Sequence, residues 1–220
     1  MSKASQEAYR KIRAGILSGH FPAGQFVPED EFAQFCEMSR TPVREAIAEL
    51  VAEMLLQRSG TNRVFVPVWS DDDDDELFAL RAMLESHCAV RAARLISDEQ
   101  IIQLRAHCDF IDRAIADAKG PDVSGFVEGN RHFHAVILAA AQSERLAQLM
   151  KFVVSQIVVH RTAEQYSRAD MEQSQRDHRD LVRAFETRDE DWARALANTH
   201  IRRAASVYRT MRQGSDAGAD

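Results

Sequence analysis

Apolar residues recur at three- and four-residue steps through most of this chain, a spacing that predicts helices. Residues 5–18 carry Ala8, Ile12, Ile16 and Leu17 in that pattern, and His20-Phe21-Pro22-Ala23-Gly24 breaks it as a turn. Pro28-Glu29-Asp30-Glu31 opens a second, short helix, with acids in the first turn where the dipole favours them and Phe32, Ala33 and Phe35 on its apolar side. Glu37-Met38-Ser39 is a tight connection into a third helix. There Thr41 suits the N-cap and Pro42 the first helical position, and Val43, Ala46, Ile47, Leu50, Val51 and Met54 form one stripe for burial. The pattern then turns to β. Leu55-Leu56-Gln57-Arg58 and Val64-Phe65-Val66-Pro67-Val68 read as a hairpin, with Ser59-Gly60-Thr61-Asn62-Arg63 as its turn and Arg63 near the tip.

From Leu77 onward the pattern is helical throughout. Helices are expected near 75–95, 98–118, 122–141, 143–166, 170–188 and 190–212. Ser97 and Asp98 suit a cap, Gly120-Pro121 marks a break, and Asp189 can cap the last helix. The fold class expected is mainly α: an N-terminal winged helix-turn-helix over 1–69 and a C-terminal six-helix antiparallel bundle over 77–212. An acidic linker over 70–76 joins them, and a flexible tail follows over 213–220. The acid run Asp71 to Asp75 reads as a solvated linker that becomes the first turn of the next helix. A metal-binding loop is the poorer reading, because adjacent carboxylates cannot all converge on one ion.

Composition narrows the function classes. Three cysteines without regular spacing exclude a disulfide framework or a zinc ribbon and suit a reducing, cytoplasmic setting. No run of eighteen apolar residues is present, so no membrane partner is expected. The net charge of −6 is unlike that of a nucleic-acid binder, but residues 1–69 hold eight Lys and Arg against eight acids, so the whole deficit lies beyond them. A basic face on the N-terminal part is therefore permitted.

Two clusters carry chemistry. Arg40 and Arg44 project from the N-terminal end of the third helix. Two guanidiniums beside the positive end of a dipole repel unless an anion is there, and a DNA phosphate or guanine edge is such a partner. In the bundle, Asn130 and His134 lie four residues apart on one helix, with His178 and His200 on two later helices. Three histidines and a carbonyl-type ligand on facing helices suit a first-row divalent ion if they converge, which periodicity alone does not establish. Arg81 can pair with Glu85 at i+4 on the helix surface.

The stretch Tyr9 to Val66 resembles the winged helix-turn-helix of the GntR family of bacterial transcription regulators. The match runs through Ile12, Ile16, Gly19, the Pro22-Ala23-Gly24 turn, Ser39-Arg40-Thr41-Pro42-Val43-Arg44-Glu45-Ala46 and Leu50. Val64 stands where the family's wing usually has glycine, and Met54-Leu55 departs from a Glu-Gly-Leu pattern. Residues 77–205 resemble the all-helical FCD ligand-sensing domain of the FadR-like branch. That likeness rests on Leu80-Arg81 with Leu84-Glu85, on Asn130 with Phe133-His134, and on His178, Leu181, Ala184, Asp189 and His200.

The resemblance implies a transcription repressor that binds a palindromic double-stranded DNA operator as a homodimer, not an enzyme. Arg40 and Arg44 would read bases, while Ser39, Thr41 and the wing with Arg63 would contact phosphates and the minor groove. It further implies a divalent metal (Zn, Ni or Mn) held by Asn130, His134, His178 and His200, with Asn130 in place of the family's Asp, and a small carboxylate effector met by Arg81. A metal-dependent hydrolase built on the three histidines is an alternative, though no His-Glu-x-x-His helix supplies a general base. A DNA-binding protein whose bundle only dimerises is another.

Overall fold

The computed structural model describes residues 1–59, 63–68, 70–118, 120–153, 162–163 and 165–216, with Phe152 and 211–216 described through their backbone. The expected hairpin turn at Gly60 to Asn62 and the end of the tail, 217–220, lie outside the described residues. The chain forms two compact units, Met1–Ser70 and Asp71–Asp220.

The first unit holds α1 (Lys3–Leu17), β1 (Phe26–Val27), α2 (Glu29–Cys36), α3 (Arg40–Ala52), β2 (Gln57–Arg58) and β3 (Val64–Phe65). Ala8, Ile12 and Ile16 of α1 bury against Val43, Ala46, Ile47 and Leu50 of α3, with Phe32 and Cys36 of α2 closing the core. The strands form an antiparallel sheet in the order β1-β3-β2. The sequence pattern did not show β1, because two residues are too few to reveal alternation and Phe26–Val27 becomes a strand only by pairing with β3. Val64, in place of the family's glycine, is buried and pairs with Val27 and Arg58.

Two details of α3 differ from expectation. The extended residue before the helix is Ser39 (φ −67°, ψ 162°), so Arg40 opens the helix, and Thr41 and Pro42 lie inside its first turn. Pro42 is tolerated there because the first N–H groups of a helix have no intrahelical partner. At the other end Met54 is not part of the buried stripe. It is 45% exposed and adopts a left-handed φ of 57°. The Met54 N–H donates to the Val51 carbonyl at 3.0 Å and the Leu55 N–H to the Leu50 carbonyl at 2.9 Å, which is a Schellman turn. The turn swings the chain so that Leu55 and Leu56 enter the core instead.

The second unit contains, among the described residues, α4 (Asp71–Leu95), α5 (Asp98–Ile115), α6 (Val123–Ala140), α7 (Glu144–Val153), α8 (Arg168–Glu186) and α9 (Glu190–Asp216). The expected linker 70–76 is instead largely helical: α4 begins at Asp71, and Asp71 to Asp74 occupy its first turn, where carboxylates stabilise unpaired N–H groups. Of the helix expected over 143–166, α7 covers Glu144–Val153 and Thr162–Ala163 are helical; 154–161 and 164 lie outside the described residues, and Tyr166 lies outside a helix. Residues 213–216, expected in the tail, continue α9.

α4 packs along α9, and α5 lies against both α6 and α8. The core is lined by small residues of α4 (Ala89, Ala92, Ala93) facing Leu104, Phe133, Ile137, Phe185 and Ala193. α6 comes so close to α5 that a Cβ at Gly129 would lie 2.5 Å from Ile111 Cγ1. Three helix ends are capped by arginines from elsewhere in the unit. Arg91 Nε donates to the Ala141 carbonyl at 2.8 Å, Arg188 Nη1 to the Ile96 carbonyl at 2.5 Å, and Arg168 Nη1 to the Ile115 carbonyl. Among the described residues no helix is long and apolar enough to cross a membrane.

Candidate functional site

In the first unit, Ser39, Arg40, Thr41 and Arg44 are all exposed at the N-terminal end of α3. The two guanidiniums are not left to repel each other. Arg40 Nε lies 2.6 Å from Asp30 Oδ1 and its Nη2 2.7 Å from Asp30 Oδ2, a two-point fork. Arg44 Nε lies 2.6 Å from Glu29 Oε2, and Arg58 approaches the other oxygen of Glu29 at 3.6 Å. The acids expected only to favour the start of α2 therefore also hold the arginines of α3. Arg63 is exposed, with its guanidinium carbon 5.2 Å from the centroid of the Phe26 ring.

In the second unit, α6, α8 and α9 bring His134, His178 and His200 together, with one ring nitrogen of each within 4.8 Å of the others. His178 is fully buried, and Phe133 stacks on it at 4.3 Å between centroids. Each ring has a polar partner at Nδ1. His134 Nδ1 lies 3.2 Å from Glu85 Oε2, His178 Nδ1 3.2 Å from Gln175 Oε1, and His200 Nδ1 3.5 Å from Asp177 Oδ2. Nε2 is thereby the nitrogen left for a ligand. Among the described residues, His178 Nε2 is a buried atom without a hydrogen-bond partner.

Electrostatics favour neutral rings at His178 and His200. Burial, followed by the neighbouring His200 and His134, pushes the pKa of His178 well down. Burial also lowers that of His200, opposed by Asp177. The carboxylates behind the rings stay ionised. Burial acts to raise Glu85, but the Arg81 guanidinium and then His134 hold it down to about 2. Asp177 is likewise lowered despite burial, by the facing His200 ring and by the hydrogen bond it accepts from Arg203.

Asn130, Arg81, Tyr166, Thr162 and Ser174 line the same small cavity beside His134 and His200. Its free volume of about 30 Å³ admits an ion or one or two waters. Arg81 and Glu85 do pair at i+4, with Nε 3.1 Å from Oε1, but the pair is buried rather than on the helix surface. Of the residues expected to meet there, Arg81, Asn130, His134 and His200 line this cavity, while His178 is not among its lining residues and adjoins it through the rings of His134 and His200.

Sequence reasoning missed the layer behind the histidines. Asp177 is adjacent to His178 in the chain, so helical geometry turns it away from that ring and toward His200 on α9. Gln175 sits one turn before His178 and carries no signal in the chain. Glu85 was visible only as a surface partner of Arg81.

The residues fit a cation: three rings whose outer nitrogens are occupied, and one buried inner nitrogen with nothing to bond. They fit hydrolysis poorly, because Glu85, the carboxylate nearest His134, is already held by Arg81 and His134.

Comparison with known proteins agrees with this architecture. Residues 4–66 match the gntR family of bacterial regulatory proteins, and residues 76–203 match the FCD domain. The chain is 28% identical over 188 residues to the Nta operon transcriptional regulator of Aminobacter aminovorans, covering 85% of this chain and 86% of that one. It is 30% identical over 137 residues to an uncharacterised HTH-type transcriptional regulator of Agrobacterium vitis from the TAR-I ttuE-ttuC' intergenic region, covering 61% and 78%. Among solved structures, E. coli McbR/YncC superposes with a TM-score of 0.79 at 19% identity, over 96% of this chain and all of that one, a likeness of fold. The family and the relatives are transcription regulators, not enzymes. The chain belongs to the GntR family of DNA-binding bacterial transcription regulators, with the family's N-terminal domain followed by an FCD domain.

Proposed function

We propose that this regulator is a repressor that binds a palindromic operator as a homodimer and answers to a small carboxylate held beside a divalent metal in its bundle. Residues 1–69 read the DNA and residues 77–212 sense the effector and dimerise. Arg40 and Arg44 take base edges, while Ser39, Thr41 and Arg63 take phosphates and the minor groove. The joint exposure of Ser39, Arg40, Thr41 and Arg44 at one end of α3 supports this, as does the presentation of Arg40 as a fork to a two-oxygen acceptor. Half-sites then lie about one helical turn apart or less. Binding to chromosomal DNA places the protein in the cytoplasm.

The observation that carries the metal reading is the partnerless Nε2 of His178 inside a cluster of three ring nitrogens. His134, His178 and His200 would hold Zn, Ni or Mn, with the Asn130 amide oxygen in the same cavity as a fourth, neutral ligand. A bound ion supplies positions for carboxylate oxygens. Arg81, lining the cavity with its guanidinium on Glu85, supplies a second charge to the same anion. A ligand changes DNA binding only by its differential affinity for the DNA-competent and incompetent arrangements.

The test is elemental analysis by mass spectrometry of untagged protein purified without chelator, beside the Asn130→Asp variant. The expected result is stoichiometric Zn, Ni or Mn, held more tightly in the variant because a carboxylate adds charge to the ligand set. Operator binding by fluorescence anisotropy should then change on addition of small carboxylates. No metal in either protein would refute the metal site and leave DNA binding with Arg81 as the remaining anion contact.

A further inference from the structure

The tautomer of His178 is set from outside the histidine cluster. Gln175, one turn earlier on α8, is 4% exposed. Its amide nitrogen lies 2.7 Å from the Cys108 carbonyl oxygen and 2.9 Å from Asp112 Oδ1, both on α5. A carbonyl only accepts, and Asp112 is engaged by Arg179 through its other oxygen. These two acceptors decide which end of the amide is nitrogen, since a flipped amide would aim its oxygen at both. Gln175 Oε1 is therefore the atom 3.2 Å from His178 Nδ1. An amide oxygen cannot donate, so Nδ1 carries the proton. In a neutral imidazole that leaves Nε2 as a bare lone pair. This is the buried nitrogen without a partner.

Glu85 acts on His134 in the same sense, because a carboxylate facing Nδ1 also requires a proton there. Gln175 differs in being neutral. It fixes orientation without adding charge, and it ties the ring to α5, an element that contributes none of the three histidines.

We infer that Gln175 is a positioning residue that locks His178 in the Nδ1–H tautomer, so that the cluster presents a lone pair to its centre and takes a cation there rather than the effector's carboxylate. This rests on the metal reading above. It adds that an anion reaches this pocket through Arg81 or through the ion, never directly on His178.

The test uses the full chain stripped with chelator. Long-range 15N NMR of the wild type reads the tautomer of His178 directly, with Nδ1–H expected. Zinc is then titrated against a competing chromophoric chelator for the wild type, Gln175→Leu, the double variant Gln175→Glu/Asp112→Asn, and His178→Ala. Gln175→Leu should mix the tautomers and weaken zinc binding roughly 10–100-fold. The double variant restores an acceptor for Nδ1–H and supplies a donor from residue 112, but leaves a carboxylate oxygen facing the Cys108 carbonyl, so it should recover part of the affinity. His178→Ala should lose more than Gln175→Leu. Nε2–H at His178 in the wild type overturns the inference without any variant. Zinc affinity unchanged in Gln175→Leu but lost in His178→Ala overturns the role of Gln175 and leaves the metal site standing. No zinc binding by the wild type refutes the metal reading itself, and the inference with it.

Discussion

Replacing Arg81 by Leu isolates the cost of the pocket's buried charge. The side chains of Arg81 and Glu85 are 8% and 9% exposed, and Nε lies 3.1 Å from Oε1. Leu fills much of the space but leaves Glu85 as a buried carboxylate with the His134 ring as its remaining polar partner. Removing one member of a buried pair costs roughly 3–5 kcal/mol, because the other charge stays out of water uncompensated. The lower end, about 3 kcal/mol, is expected here, since Glu85 keeps its contact with His134 Nδ1. With a urea slope of about 1–3 kcal/mol per M, the midpoint should fall by about 1–3 M. The measurement is urea unfolding of chelator-treated protein at pH 7, followed by Trp192 fluorescence in a Trp69→Phe background so that only the bundle is observed. The double variant Arg81→Leu/Glu85→Gln should recover most of the loss, because no buried charge remains. A loss below about 1 kcal/mol in the single variant would show that water reaches Glu85. Additive losses in the double variant would show that the two residues do not interact, and either result would refute the reasoning.

Three further outcomes are expected. Arg44→Ala should weaken binding to the cognate operator roughly 5- to 150-fold and relax base choice at one position; equal loss on all sequences in anisotropy titrations would make Arg44 a phosphate contact only. Asp30→Asn frees the Arg40 fork and removes a negative charge from the same surface, so operator binding should tighten and its dependence on salt steepen. A salt slope that does not change would mean that Arg40 stays away from the DNA. Met54→Gly should stabilise the first unit by about 1 kcal/mol, since a left-handed residue with a Cβ costs about that much and Met54 is half-exposed. A lowered thermal midpoint would mean that its side-chain contacts outweigh the backbone strain.

Most of the architecture was legible in the chain. The apolar spacing of α1, α3 and the bundle helices is a local property, repeated over several turns, and the burial of Ile12, Ile16, Val43, Ile47 and Leu50 follows it. Boundaries were less legible, because they depend on a few residues of cap and turn. Ser39 rather than Thr41 precedes α3, and the acids after Ser70 continue a helix rather than a linker, since carboxylates suit a first turn and a solvated loop alike. The start of α4 therefore could not be read from charge alone.

What the sequence by itself determined is the set of helices, the arginine helix that follows the short acidic one, and the four residues Asn130, His134, His178 and His200 with their helical phase. Helical phase says which way a side chain points from its own axis, and nothing about which other axis it meets. Tertiary structure alone decided that three rings from α6, α8 and α9 converge, that Arg81 and Glu85 pair inside the bundle, and that Asp177 serves His200 rather than its neighbour His178. It also decided that the carboxylates of Glu29 and Asp30 face the arginines of α3. The reason is physical. Burial creates the need for a partner at each polar atom, and that partner is drawn from whichever helix packing brings alongside, whatever its distance along the chain.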